Sequence, residues 1–155
     1  SAETRAHVAT ENLRGRVHIE PAMRLGERID GHLLQGHVDA IGEVARIERR
    51  ENGGDFYINL PSNVMPLMAN KGSIAVEGVS LTINEVLPTG VRLTIIPITF
   101  KESLFGEFEP GRRVNVESDL LARYVARQLE FGRGAQNGGK SEIGWDESQH
   151  IASLY

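Results

Sequence analysis

The chain has 155 residues, 40% of them hydrophobic, with a formal net charge of -4 at pH 7 and a sequence pI near 5.7. That length buries one sizeable core, and the acidic balance disfavours a nucleic-acid binder, which needs a basic surface to displace counterions. With no cysteine there is no disulfide, thiolate nucleophile or cysteine-held metal, and no apolar run approaches a membrane span.

The first residues, Ser1-Ala2-Glu3-Thr4-Arg5-Ala6-His7-Val8, lack the basic-then-apolar order of an export signal. A soluble, cytoplasmic protein without a membrane partner is expected. Glu3, Thr4 and then Gly15-Arg16-Val17-His18-Ile19-Glu20 return later as Ile98, Thr99 and Gly111-Arg112-Arg113-Val114-Asn115-Val116-Glu117. Each copy runs from a threonine through a spacer to an alternating basic-apolar-acidic strand. Such self-similarity marks repeated modules, so the chain reads as the tail of one barrel module followed by one complete module.

Next comes Asp30-Gly31-His32-Leu33-Leu34-Gln35-Gly36-His37-Val38-Asp39, with two histidines each preceded by glycine. In a regular strand positions 32 and 37 point to opposite faces, and no third nitrogen or sulfur ligand lies nearby, which counts against zinc. Glycine permits close approach of a ligand or a bend of the backbone. Either ring could move a proton near neutrality, or simply tie the barrel entrance together.

Residues 38–47 and 56–60 alternate apolar and polar side chains around a polar glycine turn, Glu51-Asn52-Gly53-Gly54-Asp55. Arg49 and Arg50, beside Glu48 and Glu51, read as a solvated strand end. Residues 62–69 and 100–107 each suit a helical turn capping a barrel end. Strands at 73–76, 79–86, 91–96 and 113–117 complete a set of about six with short connections, which suits an all-β, closed or nearly closed antiparallel barrel.

Within that set, Lys71-Gly72-Ser73-Ile74-Ala75-Val76-Glu77-Gly78-Val79-Ser80-Leu81-Thr82-Ile83 carries the strongest local pattern. A two-residue Glu77-Gly78 connection predicts a tight turn with positive φ, although Asn or Asp would suit its first position better. Counting outward places Val76 opposite Val79, Ala75 opposite Ser80, Ile74 opposite Leu81 and Ser73 opposite Thr82. Ile74, Val76, Val79, Leu81 and Ile83 then fill the interior. The other face presents Ser73, Ser80 and Thr82 around small Ala75, with Lys71 and Asn84 at the far end. It either meets water or accepts the polar edge of a flat heterocycle or a polyol.

After the last strand, Ser118 or Asp119 suits an N-cap, and Leu120, Leu121, Tyr124, Val125 and Leu129 form an apolar stripe before Gly132. A helix of about twelve residues is expected, packed on its own barrel or on another subunit. Residues 132–140 read as a polar, glycine-rich linker. The last fifteen residues, with Trp145, Ile151, Leu154 and Tyr155, either dock or stay disordered.

Taken in order, the Gly31 to Asp39 and Lys71 to Thr82 segments resemble riboflavin synthase. So do Ile96-Pro97-Ile98-Thr99 and Val114-Asn115-Val116-Glu117-Ser118-Asp119. The resemblance implies two similar six-stranded Greek-key barrels followed by a C-terminal helix that holds a trimer. Residues 1–24 would be the end of the first barrel, 25–118 the second barrel, 119–131 the oligomerisation helix, and 132–155 a flexible linker and tail.

The family reaction is a dismutation in which two 6,7-dimethyl-8-ribityllumazine molecules exchange a four-carbon unit, giving riboflavin and a ribitylamino-pyrimidine. The resemblance implies no metal and no redox cofactor, a site shared between barrels of different subunits, and an association with lumazine synthase. It assigns Lys71, Ser80, Thr82 and Ile96 to holding the ring and ribityl chain, and Gly36 to close approach. His37 would be a polar or proton-relay partner, so that His37, Ser80 and Lys71 form the catalytic set, and Asp119 would contact the ligand or interface. Glu77 stands where the family usually has aspartate, and Ile98 replaces a usual polar residue. A non-catalytic lumazine or flavin carrier is the alternative. A generic sugar- or oligonucleotide-binding barrel is disfavoured by the charge and by only 6% aromatic residues.

Overall fold

A computed structural model describes residues 15–19 and 21–137, with side chains to residue 132. The Glu3-Thr4 half of the internal echo and the end from residue 138, including Trp145, lie outside the described residues. The six strands are β1 (Ala40–Arg50), β2 (Gly53–Asn59), β3 (Ser73–Val76), β4 (Val79–Leu87), β5 (Gly90–Ile95) and β6 (Arg113–Ser118). They close into an antiparallel barrel in the order β1-β2-β5-β4-β3-β6, the Greek-key arrangement that the family resemblance implies. Among the described residues, no helix is long and apolar enough to cross a membrane.

Alternation along the strands builds the core. Val44, Phe56, Ile74, Val76, Ile83, Val91, Leu93, Val114 and Val116 are wholly buried, each contributing about 1.5–3 kcal/mol relative to exposure. Phe105 meets Phe56 edge-on, with ring centroids 5.5 Å apart, and lies 4.6 Å from Phe108. Val79 and Leu81, expected inside, pack on this cluster while remaining partly exposed.

The β3–β4 register is the one counted from the turn: Val76 with Val79, Ala75 with Ser80, Ile74 with Leu81, Ser73 with Thr82. Glu77 (φ 50) and Gly78 (φ 78) are both left-handed, as a tight right-twisted hairpin requires. The Asn115 N–H of β6 donates to Glu77 Oε1 at 2.6 Å, and the Glu77 N–H donates to the Asn115 carbonyl at 2.9 Å. The extra methylene of glutamate thus carries a carboxylate across to the neighbouring strand, which offsets the strain of a non-glycine residue at positive φ.

Several boundaries differ from those expected. β1 runs on to Arg50 and β2 begins at Gly53, so the turn shrinks to Glu51-Asn52. Gly53 (φ 141) and Gly54 (φ 156) are strand residues paired with Arg50 and Arg49. A Cβ on Gly53 would stand 2.3 Å from the Ile95 carbonyl oxygen, and one on Gly54 2.6 Å from that of Glu48. These glycines let strands approach rather than turn.

Arg49 and Arg50 are not merely solvated. Arg49 donates to the Phe108 carbonyl at 2.6 Å and the Glu109 carboxylate at 2.8 Å, and Arg50 pairs with buried Asp55 at 2.7 Å. Thr94 Oγ1 also donates to Asp55, at 2.6 Å. On the same outer face a hydrogen bond to Glu85 holds the Arg92 guanidinium above its ordinary pKa, opposed by desolvation and aided by the charge of Asp55.

The first capping segment is only a 3₁₀ turn at Met65–Leu67. The second starts earlier than expected, because Pro97 sits in the first turn of α1 (Pro97–Glu102), before a 3₁₀ turn at Leu104–Glu107. The terminal helix α2 spans Leu120–Asn137, eighteen residues. It continues through residues 132–137, which the composition assigned to a linker. Glycine in a helix interior costs only about 1 kcal/mol, so Gly132 and Gly134 weaken the helix without ending it.

Candidate functional site

Ser80, Ala75 and Glu117 form one row across β4, β3 and β6, and Thr82 and Ser73 form the next. All point outward, since Ile74, Val76, Ile83 and Val116 alternate with them into the core. Yet Ala75 is only 2% and Glu117 7% exposed. The cover is the extended segment before β1. His32 Nδ1 lies 2.8 Å from Ser80 Oγ, and the Gln35 N–H donates to Glu117 Oε1 at 2.8 Å, so the segment crosses all three strands. Thr82 stays exposed and Ser73 half-buried, leaving an open hydroxylated patch bordered by the His32–Ser80 contact.

Gly36 (φ 74) turns this segment before it enters the barrel. Beyond it, Asp39 Oδ2 accepts from the Ser118 N–H at 2.7 Å, the Ser118 hydroxyl at 2.7 Å and Arg123 Nη2 at 2.8 Å. Arg123 also donates to Ser118 Oγ at 3.1 Å and to the His37 carbonyl at 3.0 Å. The network fixes the His37 backbone and leaves its ring exposed. Asp119 Oδ1 accepts from the Leu121 N–H at 2.9 Å, capping α2.

Lys71 has φ 66, its N–H donates to the Ile83 carbonyl at 2.7 Å, and it is exposed just outside the Ser73–Thr82 row. Ile96, 53% exposed, follows β5, whose antiparallel pairing of Leu93 with Ile83 carries it toward the Ser80 half of β4. Ser80 and Thr82 therefore share one face, with the exposed Lys71 just beyond its end and Ile96 and Asp119 following the neighbouring strands β5 and β6. The histidine in contact with Ser80 is His32 rather than His37. Residues 32–37 are not a strand, and the positive φ at Gly36 bends the segment between the two histidines.

The patch offers hydroxyl donors and acceptors with little bulk, fitted to the polar edge of a flat ring or a polyol. Among the described residues, no cluster of three or more His, Asp or Glu could hold a metal ion. Two shallow depressions among the described residues lie elsewhere. One, of about 280 Å3, is lined by residues 41–43, 59–61 and Arg113, and the other, of about 240 Å3, by residues 16–19 and 101–104. In the latter, the Leu104 N–H donates to His18 Nε2 at 2.8 Å, so Nδ1 carries the ring proton and donates to the Glu77 carbonyl at 2.8 Å. Residues 15–19 form no strand, contrary to the expectation from the echo, yet His18 docks this segment onto the β3–β4 turn, a role that no sequence signal beyond the echo announced.

A family model described as the lumazine binding domain matches residues 35–119. Riboflavin synthase of Photobacterium phosphoreum is 42% identical over 113 residues, covering 73% of this chain and 52% of that protein. That of Bacillus subtilis (strain 168) is 37% identical over 114 residues, covering 74% and 53%. The chain spans about half the length of the curated relatives it matches. Among solved structures, LumP complexed with riboflavin is similar in fold, with a TM-score of 0.55 at 24% identity, covering 60% of this chain and 50% of that one. LumP complexed with 6,7-dimethyl-8-(1'-D-ribityl) lumazine gives 0.55 and 24%, covering 59% and 52%. The family match extends over more than half of the chain and takes in every strand of the barrel, so this protein belongs to the lumazine binding domain family.

Proposed function

We propose that this chain supplies the second-barrel half of a riboflavin synthase site, acting on 6,7-dimethyl-8-ribityllumazine. The observation that carries the reading is the outward patch of Ser73, Ser80 and Thr82, with Lys71 beside it, on a barrel whose sequence is similar to riboflavin synthases. The reaction joins two copies of one substrate, moving a four-carbon unit from one to the other, so oxidation in one ring system balances reduction in the other without a cofactor.

The physical demand is to hold two flat rings in opposed orientation and remove a proton from an acidic ring methyl group. Orientation supplies much of the rate and placed acid-base groups the rest. In this reading Ser80, Thr82 and Lys71 bind the ring and ribityl chain, Ile96 provides an apolar wall, and Gly36 lets backbone come close. His37, Ser80 and Lys71 serve proton transfer, and Asp119 anchors the site edge through its helix cap. A barrel of another subunit completes the site, with residues 119–131 building a cytoplasmic trimer and lumazine synthase as a further partner.

Titration of riboflavin with the 155-residue protein tests this directly: flavin fluorescence is quenched on binding. Unchanged fluorescence at high micromolar protein would refute the proposal. The chain alone turns over the lumazine slowly or not at all, because half of the composite site is supplied by another barrel, and vigorous riboflavin production by it would overturn the shared-site arrangement. Binding without turnover after addition of a first-barrel chain would instead assign a carrier.

A further inference from the structure

The contact between His32 and Ser80 specifies more than proximity. A serine hydroxyl has one hydrogen to give and two acceptor positions. The His32 backbone N–H takes one acceptor position of Ser80 Oγ at 3.3 Å, and the ring Nδ1 lies 2.8 Å from the same oxygen. Whether that ring nitrogen gives or receives a proton decides what Ser80 can offer a ligand.

The other ring nitrogen settles the direction. His32 Nε2 is sealed from solvent and has no hydrogen-bond partner among the described residues. If the Ser80 hydroxyl donated to Nδ1, the ring proton would sit on Nε2 as an orphaned buried N–H, the rarest and among the costliest of unmet groups. With the proton on Nδ1, Nε2 buries only a lone pair. Ser80 Oγ then accepts two hydrogen bonds, one from the backbone and one from the ring, and its own hydrogen is left to point away from both. Ser80 is half-buried at the border of the open patch, and the remaining tetrahedral position of Oγ is the one left for a ligand there.

Gly31 makes this arrangement sterically permissible. A Cβ there would stand 2.7 Å from Ser80 Oγ and 2.9 Å from its Cβ, so any other residue would push the segment off β4.

We infer that His32 is a positioning residue that makes the Ser80 hydroxyl an obligate hydrogen-bond donor, so that this position recognises a carbonyl oxygen or unprotonated ring nitrogen of the bound heterocycle. The inference rests on the lumazine and flavin reading of the patch. It assigns the histidine five positions before His37 as the partner of the ring-binding serine.

Two measurements separate its failure from the failure of that reading. The first is imidazole nitrogen NMR of the ligand-free, histidine-labelled protein at about pH 8, where an ordinary imidazole is neutral. The His32 signal, identified by its loss in His32→Asn, is expected to report a protonated Nδ1 and a bare Nε2; a proton on Nε2 overturns the inference whatever the protein binds. The second is riboflavin affinity in a double-mutant cycle. His32→Ala and Ser80→Ala are each expected to weaken binding roughly three- to tenfold, the double variant being no weaker than Ser80→Ala alone. His32→Asn, whose side-chain amide N–H falls near the position of Nδ1, retains most of the affinity. A purely structural clamp would lower the melting temperature of His32→Asn and His32→Ala alike while leaving riboflavin affinity unchanged, and that result would overturn the inference. Wild-type protein that fails to bind riboflavin sinks the parent reading, and the ligand-recognition half of the inference with it.

Discussion

Asp39 gathers three donors on one carboxylate oxygen: the Ser118 N–H, the Ser118 hydroxyl and Arg123. Ser118 is 2% exposed, so its N–H has no route to water if that oxygen is removed. Asp39→Ala is therefore expected to lower the unfolding free energy by about 2 kcal/mol, the order of an unmet buried donor plus a released guanidinium. Urea denaturation measures it, and a loss below about 0.5 kcal/mol would mean that the cluster relaxes at no expense. At this scale the sequence was half legible. It marked the hydroxyl face of the hairpin and both histidines without choosing between them, and the role of His37 came from the family resemblance. Counting by strand alternation could not show that residues 31–35 lie across the barrel as an extended strap, because that depends on the left-handed turn at Gly36 and on the partners at Ser80 and Glu117. The Asp39–Arg123 network was illegible for a different reason: its members meet only after β6 has been laid beside β1.

Among the elements, the β3–β4 hairpin was read to the residue. A two-residue turn permits one register, and the alternation of Ile74 and Val76 with Ser73 and Ala75 selects which face is inward. The β1–β2 connection misled because Gly53-Gly54 has the composition of a turn and the duty of a strand. Here the deciding term is the close approach of another strand's carbonyl, which is invisible until β5 is in place. Gly90, the first residue of β5 after the Pro88-Thr89 turn, makes the same point: a Cβ there would stand 1.9 Å from the Ile58 carbonyl oxygen. Gly90→Ala is expected to destabilise by about 3 kcal/mol, at the upper end for a forced backbone shift. Gly78→Ala, which meets nothing within 4 Å and suffers only from its φ of 78, should lose nearer 1 kcal/mol. Thermal melts of the two variants compare clash with strain. Equal losses would show that the β2–β5 contact yields easily. The extra length of α2 escaped notice because glycine was given the weight of a stop signal when its propensity cost is modest.

At the scale of the molecule, Phe105 ties a connection to the barrel core. It is wholly buried, outside any strand, and in ring contact with Phe56 of β2, with Phe108 and with His18 of the segment before the barrel, the last at 6.4 Å between centroids. Phe105→Ala is expected to lower the unfolding free energy by about 3–5 kcal/mol. A chemical-denaturation midpoint that hardly moves would mean that the residues around it collapse into the space. The barrel also has a timing built into its connectivity. β3 and β4 are joined by two residues, so they can pair within about 1–10 μs of both being available. β1 also pairs with β6, Ala40 opposite Val116, and these strands lie at opposite ends of the barrel sequence. On the ribosome, β1 must therefore wait for almost the entire module to be synthesised before one of its two neighbours exists. The ring is completed late, by a seam whose two strands are far apart in sequence and whose closure entropy must be met before its contacts form.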